Sequence, residues 1–206
     1  MKPDPSRRRA LAYLGASLLL PVTPALADER PPTPRMTEGP FYPRSFPKDI
    51  DADLTRVAGR TAVARGTILD VTGRIVDRTG KPLSGSKLEV WQCDETGTYH
   101  HVGYDVGDPG FQGFGVATTD ADGRYRFRTI KPVPYSGRTS HIHFLVREGD
   151  RSRLVSQMFI EGEPGNARDG LYRYLGAESR LVTMKLSDAP AGSGAKLAGA
   201  LDIVVA

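Results

Sequence analysis

The chain has 206 residues, 39% of them hydrophobic, with 28 Lys and Arg against 24 Asp and Glu for a formal net charge of +4. That length buries one good core, so a single main domain is expected. The basic residues are scattered, without the stripe or stacking platform of a nucleic-acid binder. The lone Cys93 excludes an internal disulfide and reads as a small buried hydrophobe.

Residues 1–27 have the plan of an export signal: Arg7, Arg8 and Arg9, an apolar run from Leu11 to Val22, then Ala25-Leu26-Ala27 as a small-x-small cleavage site. The paired arginines after Ser6 resemble a twin-arginine signal, the kind that directs folded and often cofactor-loaded proteins; a general secretory signal is the other reading. Gly15, Pro21 and Pro24 break a run already short for a bilayer, so no membrane span is expected in the mature form. The expected location is periplasmic or secreted, from a bacterium. Beyond residue 27 the balance is 24 basic against 23 acidic residues, a formal +1, so most of the positive charge belongs to the signal.

Residues 28–65 begin with a proline-rich stretch that reads as an extended arm, followed by "TEGPFYP" at 37–43, too punctuated for helix or central strand. From residue 66 the pattern becomes short alternating runs. "TILDVTGRIVD" puts Leu69, Val71 and Ile75 on one face, "KLEVW" sets Leu88 and Val90 against Lys87, Glu89 and Trp91, and "GRYRFRT" sets Tyr125 and Phe127 against three arginines. These predict half-buried antiparallel strands. Turns separate them at 77–85, 94–97, 120–123 and 147–150, and further strands are expected at 141–147, 153–160, 180–187 and 200–206. A short helix or turn fits 166–180. The fold class is therefore all-β, an antiparallel sandwich of seven or eight strands over 66–206, with no internal repeat.

"PYSGRTSHIHF" at 134–144 holds two of the four histidines. In a strand His141 and His143 share a face with Cα atoms about 6.5 Å apart, close enough to converge on one ion. On their own they also fit a half-exposed strand. A zinc hydrolase would need a third nitrogen, sulfur or carboxylate ligand, and a ferrous oxygenase two histidines with a carboxylate. Nearby stand Tyr135, and Tyr99 in "DETGTYHH". Phenolates are hard anionic donors, and with imidazole they favour a small, highly charged ion, ferric iron over ferrous. His100 and His101 fit a solvated turn. Trp91 and Phe127 read as packing residues, Tyr172 and Tyr174 as braces for the sheet, and Tyr104, Phe111 and Phe114 as pocket wall or loop packing equally.

"VTGRIVDRTGKPLSGSKLEVWQCDETGTYHH", "FQGFGVATTDADGRYRFRTIKPVPYSGRTSHIHF" and "LVSQMFIEGEP" together resemble the intradiol ring-cleavage dioxygenases, most closely the iron-bearing (beta) subunit of the protocatechuate 3,4-dioxygenases, over most of 37–165. The resemblance implies a β-sandwich and a non-haem Fe(III), with Tyr99 and His143 as equatorial and Tyr135 and His141 as axial ligands. It implies that Arg138 is the active-site arginine, that Gln157 stands behind the ligands, and that Gly39, Pro40 and Tyr42 lie near the substrate. The implied partners are a small aromatic diol and O2. The diol displaces Tyr135 and a hydroxide, which take its protons; Arg138 stabilises charge on the ring, and a cis,cis-muconate results. The link from Tyr135 to His141 is shorter than in the protocatechuate enzymes, which carry a Trp- and Asn-containing insertion there, so the ring substituent stays open. The N-terminal helical dimerisation region of the catechol 1,2-dioxygenases is not found, and a homo-oligomer is the default. Two competing readings are a non-catalytic transthyretin-like or carbohydrate-binding sandwich, which "GRIVDRTGKPLSG" also resembles, and a zinc hydrolase using His141 and His143.

Overall fold

The structure is a computed structural model that describes residues 29–100 and 107–206; the expected export signal, His101 and Tyr104 lie outside the described residues. The strands are β1 (Ile68–Asp77), β2 (Lys87–Trp91), β3 (Phe114–Thr118), β4 (Arg124–Ile130), β5 (His141–Glu148), β6 (Arg151–Ile160), β7 (Thr183–Met184), β8 (Leu186–Asp188), β9 (Leu197–Ala200) and β10 (Ile203–Val205). A short helix α1 (Gly170–Tyr174) and a 3-10 turn (Gly176–Leu181) connect β6 to β7.

Two five-stranded sheets result. In the first, β1 pairs antiparallel with β4 along one edge and parallel with β9 and then β10 along the other, and β8 closes on β9. The second runs β3-β2-β5-β6-β7, antiparallel except for the last pair. The sheets are thus mixed, where the sequence predicts a purely antiparallel sandwich. The strand expected over 180–187 is a 3-10 turn followed by the short β7 and β8, and that over 200–206 is split into β9 and β10. The split has a local cause. Gly73 lies in β1 opposite Tyr125, and a Cβ there would sit 1.9 Å from the Leu201 carbonyl oxygen. That carbonyl accepts the buried Tyr125 hydroxyl at 2.6 Å, so the chain steps inward at Leu201 before resuming its ladder.

The core between the sheets follows the period-2 expectation. Leu69, Val71, Ile75, Tyr125 and Phe127 meet Leu88, Val90, Ile142, Phe144, Val146 and Met158 in one buried cluster. Phe111 joins this cluster, whereas Tyr172 packs edge-on to Phe159 with ring centres 4.9 Å apart and Tyr174 is 89% exposed. Strands β2 and β5 depart from half-burial, because Glu89, Trp91, His141, His143 and Leu145 on their outer face are buried too. Their cover is the N-terminal arm. Thr33 N–H donates to Val204 O (2.9 Å), Met36 N–H to Val155 O (2.9 Å), and Ser156 Oγ donates to Pro34 O (2.7 Å), carrying the arm from β10 across β6. Among the described residues no helix is long and apolar enough to cross a membrane.

Gly73→Ala is expected to destabilise the chain by about 3 kcal/mol, since backbone and not a flexible side chain fills the space its methyl needs. Urea unfolding checks this; a midpoint equal to that of the unsubstituted chain would contradict the close β1–Leu201 approach.

Candidate metal centre

Register across the second sheet builds the site. Trp91 is the β2 neighbour of His143 and Gln157 its β6 neighbour, while His141 stands opposite Phe159. Directly opposed residues share a face, so Trp91, His143 and Gln157 form a row under the arm, with His141 and Phe159 beside it. The Trp91 and His143 rings stack at 5.0 Å and 10°.

Two turns bring in the phenols. In the first, Asp94 Oδ1 accepts from Thr96 N (2.8 Å), Thr96 Oγ1 (2.6 Å) and Thr98 N (3.1 Å), an Asx turn that delivers Tyr99. The second is a hairpin in which Arg138 N–H donates to Tyr135 O (2.8 Å) while Ser136 and Gly137 take φ of 44° and 79°, the geometry of a type I′ turn. Ser136 is the non-glycine residue held at positive φ among the described residues, a conformation retained here at the turn that sets Tyr135 and Arg138 side by side.

The four donor atoms converge. Tyr99 Oη–H donates to Tyr135 Oη (3.2 Å), Tyr135 Oη lies 3.3 Å from His141 Nε2, and His141 Nε2 lies 3.1 Å from His143 Nε2. His141 Nδ1 is 2.6 Å from the Thr139 carbonyl oxygen, which only accepts, so Nδ1 carries the proton and Nε2 presents its lone pair inward. His143 Nδ1 is buried without a partner.

Burial drives the electrostatics. It lowers His141 to about 4, with the Arg138 charge assisting, and His143 falls well below the ordinary value from burial, then from His141 and Arg138. Both phenols are pushed up by burial; Arg138 pulls each of them back. Without a cation the set is therefore two neutral imidazoles and two neutral phenols, and Arg138 biases all four toward the forms that ligate a metal. Among the described residues no three His, Cys, Asp or Glu side chains gather for a metal, so an ion held by His141 and His143 would need the phenol oxygens to complete its ligands. Hard phenolate oxygen with imidazole nitrogen in a dry pocket suits a ferric ion.

The Dioxygenase_C family model, described as Dioxygenase, matches residues 37–205. The chain belongs to the intradiol ring-cleavage dioxygenase family. It is similar to the protocatechuate 3,4-dioxygenase beta chain of Burkholderia cepacia, 40% identical over 65% of this chain and 62% of that one. It is also similar to the hydroxyquinol 1,2-dioxygenase of Corynebacterium glutamicum, 33% identical over 61% of this chain and 45% of that one. The chain thus spans about half to three-fifths of the length of these curated relatives. A solved structure, the dioxygenase domain of a dioxygenase carbohydrate-binding protein fusion from Streptomyces sp. SirexAA-E, superposes with a TM-score of 0.66. It is 33% identical, covering 84% of this chain and 97% of that domain.

Among the residues expected at this family member's site, Gly39 sits against His143: a Cβ there would meet His143 Cε1 at 3.3 Å, and φ of 74° favours glycine. Gln157 is fully buried and uses both ends of its amide, Oε1 accepting from Arg138 Nη2 (2.7 Å) and Nε2 donating to Thr37 O (3.2 Å). Pro40 is exposed in the turn that follows Gly39. Tyr42 turns its hydroxyl away from the four donors and donates to Glu89 Oε2 at 2.5 Å, with its ring edge-on to Trp91 at 5.0 Å. Burial and Glu89 push that phenol up to about 12. The neighbouring Phe41, which sequence reasoning passed over, stacks on Tyr99 at 4.3 Å and 9° and meets Tyr135 edge-on at 5.8 Å. His100 pairs with Asp94 Oδ2 at 3.2 Å in the turn. A cleft of about 400 Å³ opens beside the hairpin, lined by Tyr135, Arg138, Glu163 and Arg168.

The metal-free protein is expected to lose stability as pH falls from about 6.5 to about 4. His141 is held neutral in the fold, so the unfolded chain takes up its proton first, and the contribution is complete above the ordinary histidine value. The loss from His141 alone is on the order of 3 kcal/mol. Urea midpoints at pH 7 and 4.5 measure it, and identical midpoints would rule out a buried neutral imidazole.

Proposed function

We propose that this chain is an exported, Fe(III)-dependent intradiol dioxygenase. It cleaves the ring of a catechol-type aromatic, protocatechuate or a substituted catechol, between the two hydroxylated carbons with O2, giving a cis,cis-muconate-type product. The observation that carries the reading is the convergence of Tyr99, Tyr135, His141 and His143 donor atoms, in steps of 3.1 to 3.3 Å, beside the Arg138 guanidinium. The names of the relatives, cleaving protocatechuate or hydroxyquinol, support the substrate class. A transthyretin-like binding module has no use for two buried phenols and two buried imidazoles around one point. A zinc hydrolase using His141 and His143 leaves the tyrosines without a task.

Ferric iron held by Tyr99, Tyr135, His141 and His143 would supply the Lewis acidity that keeps both phenols ionised and draws electron density from a bound catecholate. Tyr99 is 5% exposed and pinned beneath Phe41, so it stays in place. Tyr135 is half-buried at the hairpin tip and is the donor best able to swing aside. Its oxygen would take the proton of a catechol hydroxyl, and the proton affinity that burial raises in this phenol would keep the proton there. Arg138, permanently cationic, would stabilise negative charge spreading onto the ring during ketonisation, and its planar N–H groups hold a direction that lysine does not. Trp91 and Phe41 cover His143 and Tyr99 and keep water from the donor set.

Loading metal-free protein with Fe(III) is expected to release two protons per iron, one from each phenol, and to develop a red-brown tyrosinate-to-iron absorption. A colourless protein with stoichiometric iron would overturn the ligand set. Oxygen uptake across catechol, protocatechuate, hydroxyquinol and chlorinated or alkylated catechols then identifies the ring substituent, and no uptake with any of them would sink the dioxygenase reading. Tyr135→Phe should keep iron, shift the absorption and lower kcat by about 100- to 10,000-fold, on the scale of a positioned acid or base; an unaltered spectrum and rate would remove Tyr135 from the centre.

A further inference from the structure

Asp169 is a buried charge that neither the sequence reading nor the ligand set uses. It is 1% exposed, at the N-cap of α1. One carboxylate oxygen, Oδ1, accepts from Leu171 N (3.0 Å) and Tyr172 N (3.0 Å), which caps the helix. The other, Oδ2, accepts from Arg138 Nε at 2.7 Å and Thr139 N at 2.9 Å. Burial alone would raise this carboxyl, but the backbone bonds from Tyr172 and Thr139 and the pairing with Arg138 outweigh it and hold it below its ordinary range.

We infer that Asp169 is the positioning residue for Arg138, fixing the plane in which the guanidinium faces the reacting ring; this rests on the dioxygenase reading. A guanidinium bound through one N–H still pivots about that bond. Arg138 is held through two, Nε to Asp169 and Nη2 to Gln157 Oε1, each at 2.7 Å, and the two partners come from different elements. The plane is thereby set, and Nη1, which has no partner among the described residues, is the remaining edge to offer a substrate. The same Oδ2 holds the backbone of Thr139, whose carbonyl fixes the inward tautomer of His141. One carboxylate thus ties the arginine and an imidazole donor to α1.

The decisive comparison uses the full iron-loaded chain. Asp169→Asn keeps a side-chain acceptor for the helix, since asparagine caps as well as aspartate, but removes the charge and turns an amide toward either Arg138 or the helix N–H groups. The expected result is a kcat reduced by about 10- to 100-fold, the scale of a misplacement near 1 Å, with affinity for a non-turnover nitrocatechol changed less than about 3-fold. In an Arg138→Ala background the same substitution should cost no further kcat, because the group it positions is gone. A helix-stabilising role alone would subtract the same factor in both backgrounds, and that result overturns the inference. If Asp169→Asn fails to fold, Asp169→Ser retains a capping hydroxyl and admits water beside Arg138 Nε, with the same kinetic expectation.

A second readout needs neither iron nor turnover. In the metal-free chain the Arg138 Nε–H resonance should exchange slowly with solvent, and in Asp169→Asn it should exchange at the rate of an exposed arginine; equal exchange in both overturns the anchoring. If the unsubstituted chain cleaves no catechol while this protection is present and is lost in Asp169→Asn, the dioxygenase reading falls and the anchoring stands. If it cleaves catechol and Asp169→Asn does so equally well, the anchoring falls alone.

Discussion

Two imidazole nitrogens, Nε2 of His141 and of His143, face each other at 3.1 Å beneath a covered sheet. The His141 nitrogen points its lone pair inward because a backbone carbonyl holds the proton on Nδ1, and the next atoms in the chain of contacts are two phenol oxygens. So many electron-rich atoms at one buried point are poorly served by one another, since only long contacts of 3.1 to 3.3 Å link them. A small, highly charged cation would satisfy all four at once. The rest of the molecule works to hold this point in place and keep it dry.

The sandwich supplies the rigidity. Strands β2, β5 and β6 press one face into the core through Leu88, Val90, Ile142, Phe144 and Met158, so that the opposite face stands in a fixed row. That outer face would meet water in an ordinary two-layer sandwich. Here the N-terminal arm covers it, stitched along β10 and β6, and sets Gly39 against the His143 ring. The arm has little regular structure of its own because its role is coverage, and its backbone groups are satisfied by the strands beneath.

Charge is managed by paired groups on the same face. Glu89 receives Arg147 Nε at 2.7 Å and the Tyr42 hydroxyl at 2.5 Å, so this acidic residue of β2 is neutralised while the arm's aromatic ring closes over Trp91. Arg138 is neutralised in turn by Asp169 and oriented by Gln157. Its positive charge still reaches the donors, lowering the histidines and opposing the rise of the tyrosines. A cation with its own buried counter-ion does this without repelling a metal as strongly as a bare charge would.

Period-2 alternation identified β1, β2 and β4 and the core residues on their inner faces, because half-burial leaves that trace in a strand; β5 and β6 were expected as strands without it, being buried on both faces over most of their length. The spacing of His141 and His143 revealed a shared face, and the resemblance of three segments to a known family supplied both tyrosines, Arg138 and Gln157. The double burial of β2 and β5 was not legible, since it depends on a proline-rich arm whose path carries no periodic signal. Nor were the parallel pairings of β9 and β10, which are set by where Gly73 lets Leu201 approach. Phe41 over Tyr99 and Asp169 against Arg138 belong to the same class: the second pair is 31 residues apart, and neither side chain announces its partner. The short helix expected over 166–180 is α1, but nothing in that expectation pointed to Asp169. The chain by itself determined which residues alternate and which carry chemistry, through local geometry and residue type; which of them meet was decided by sheet register and by the arm's course, which act over distances that no local pattern records.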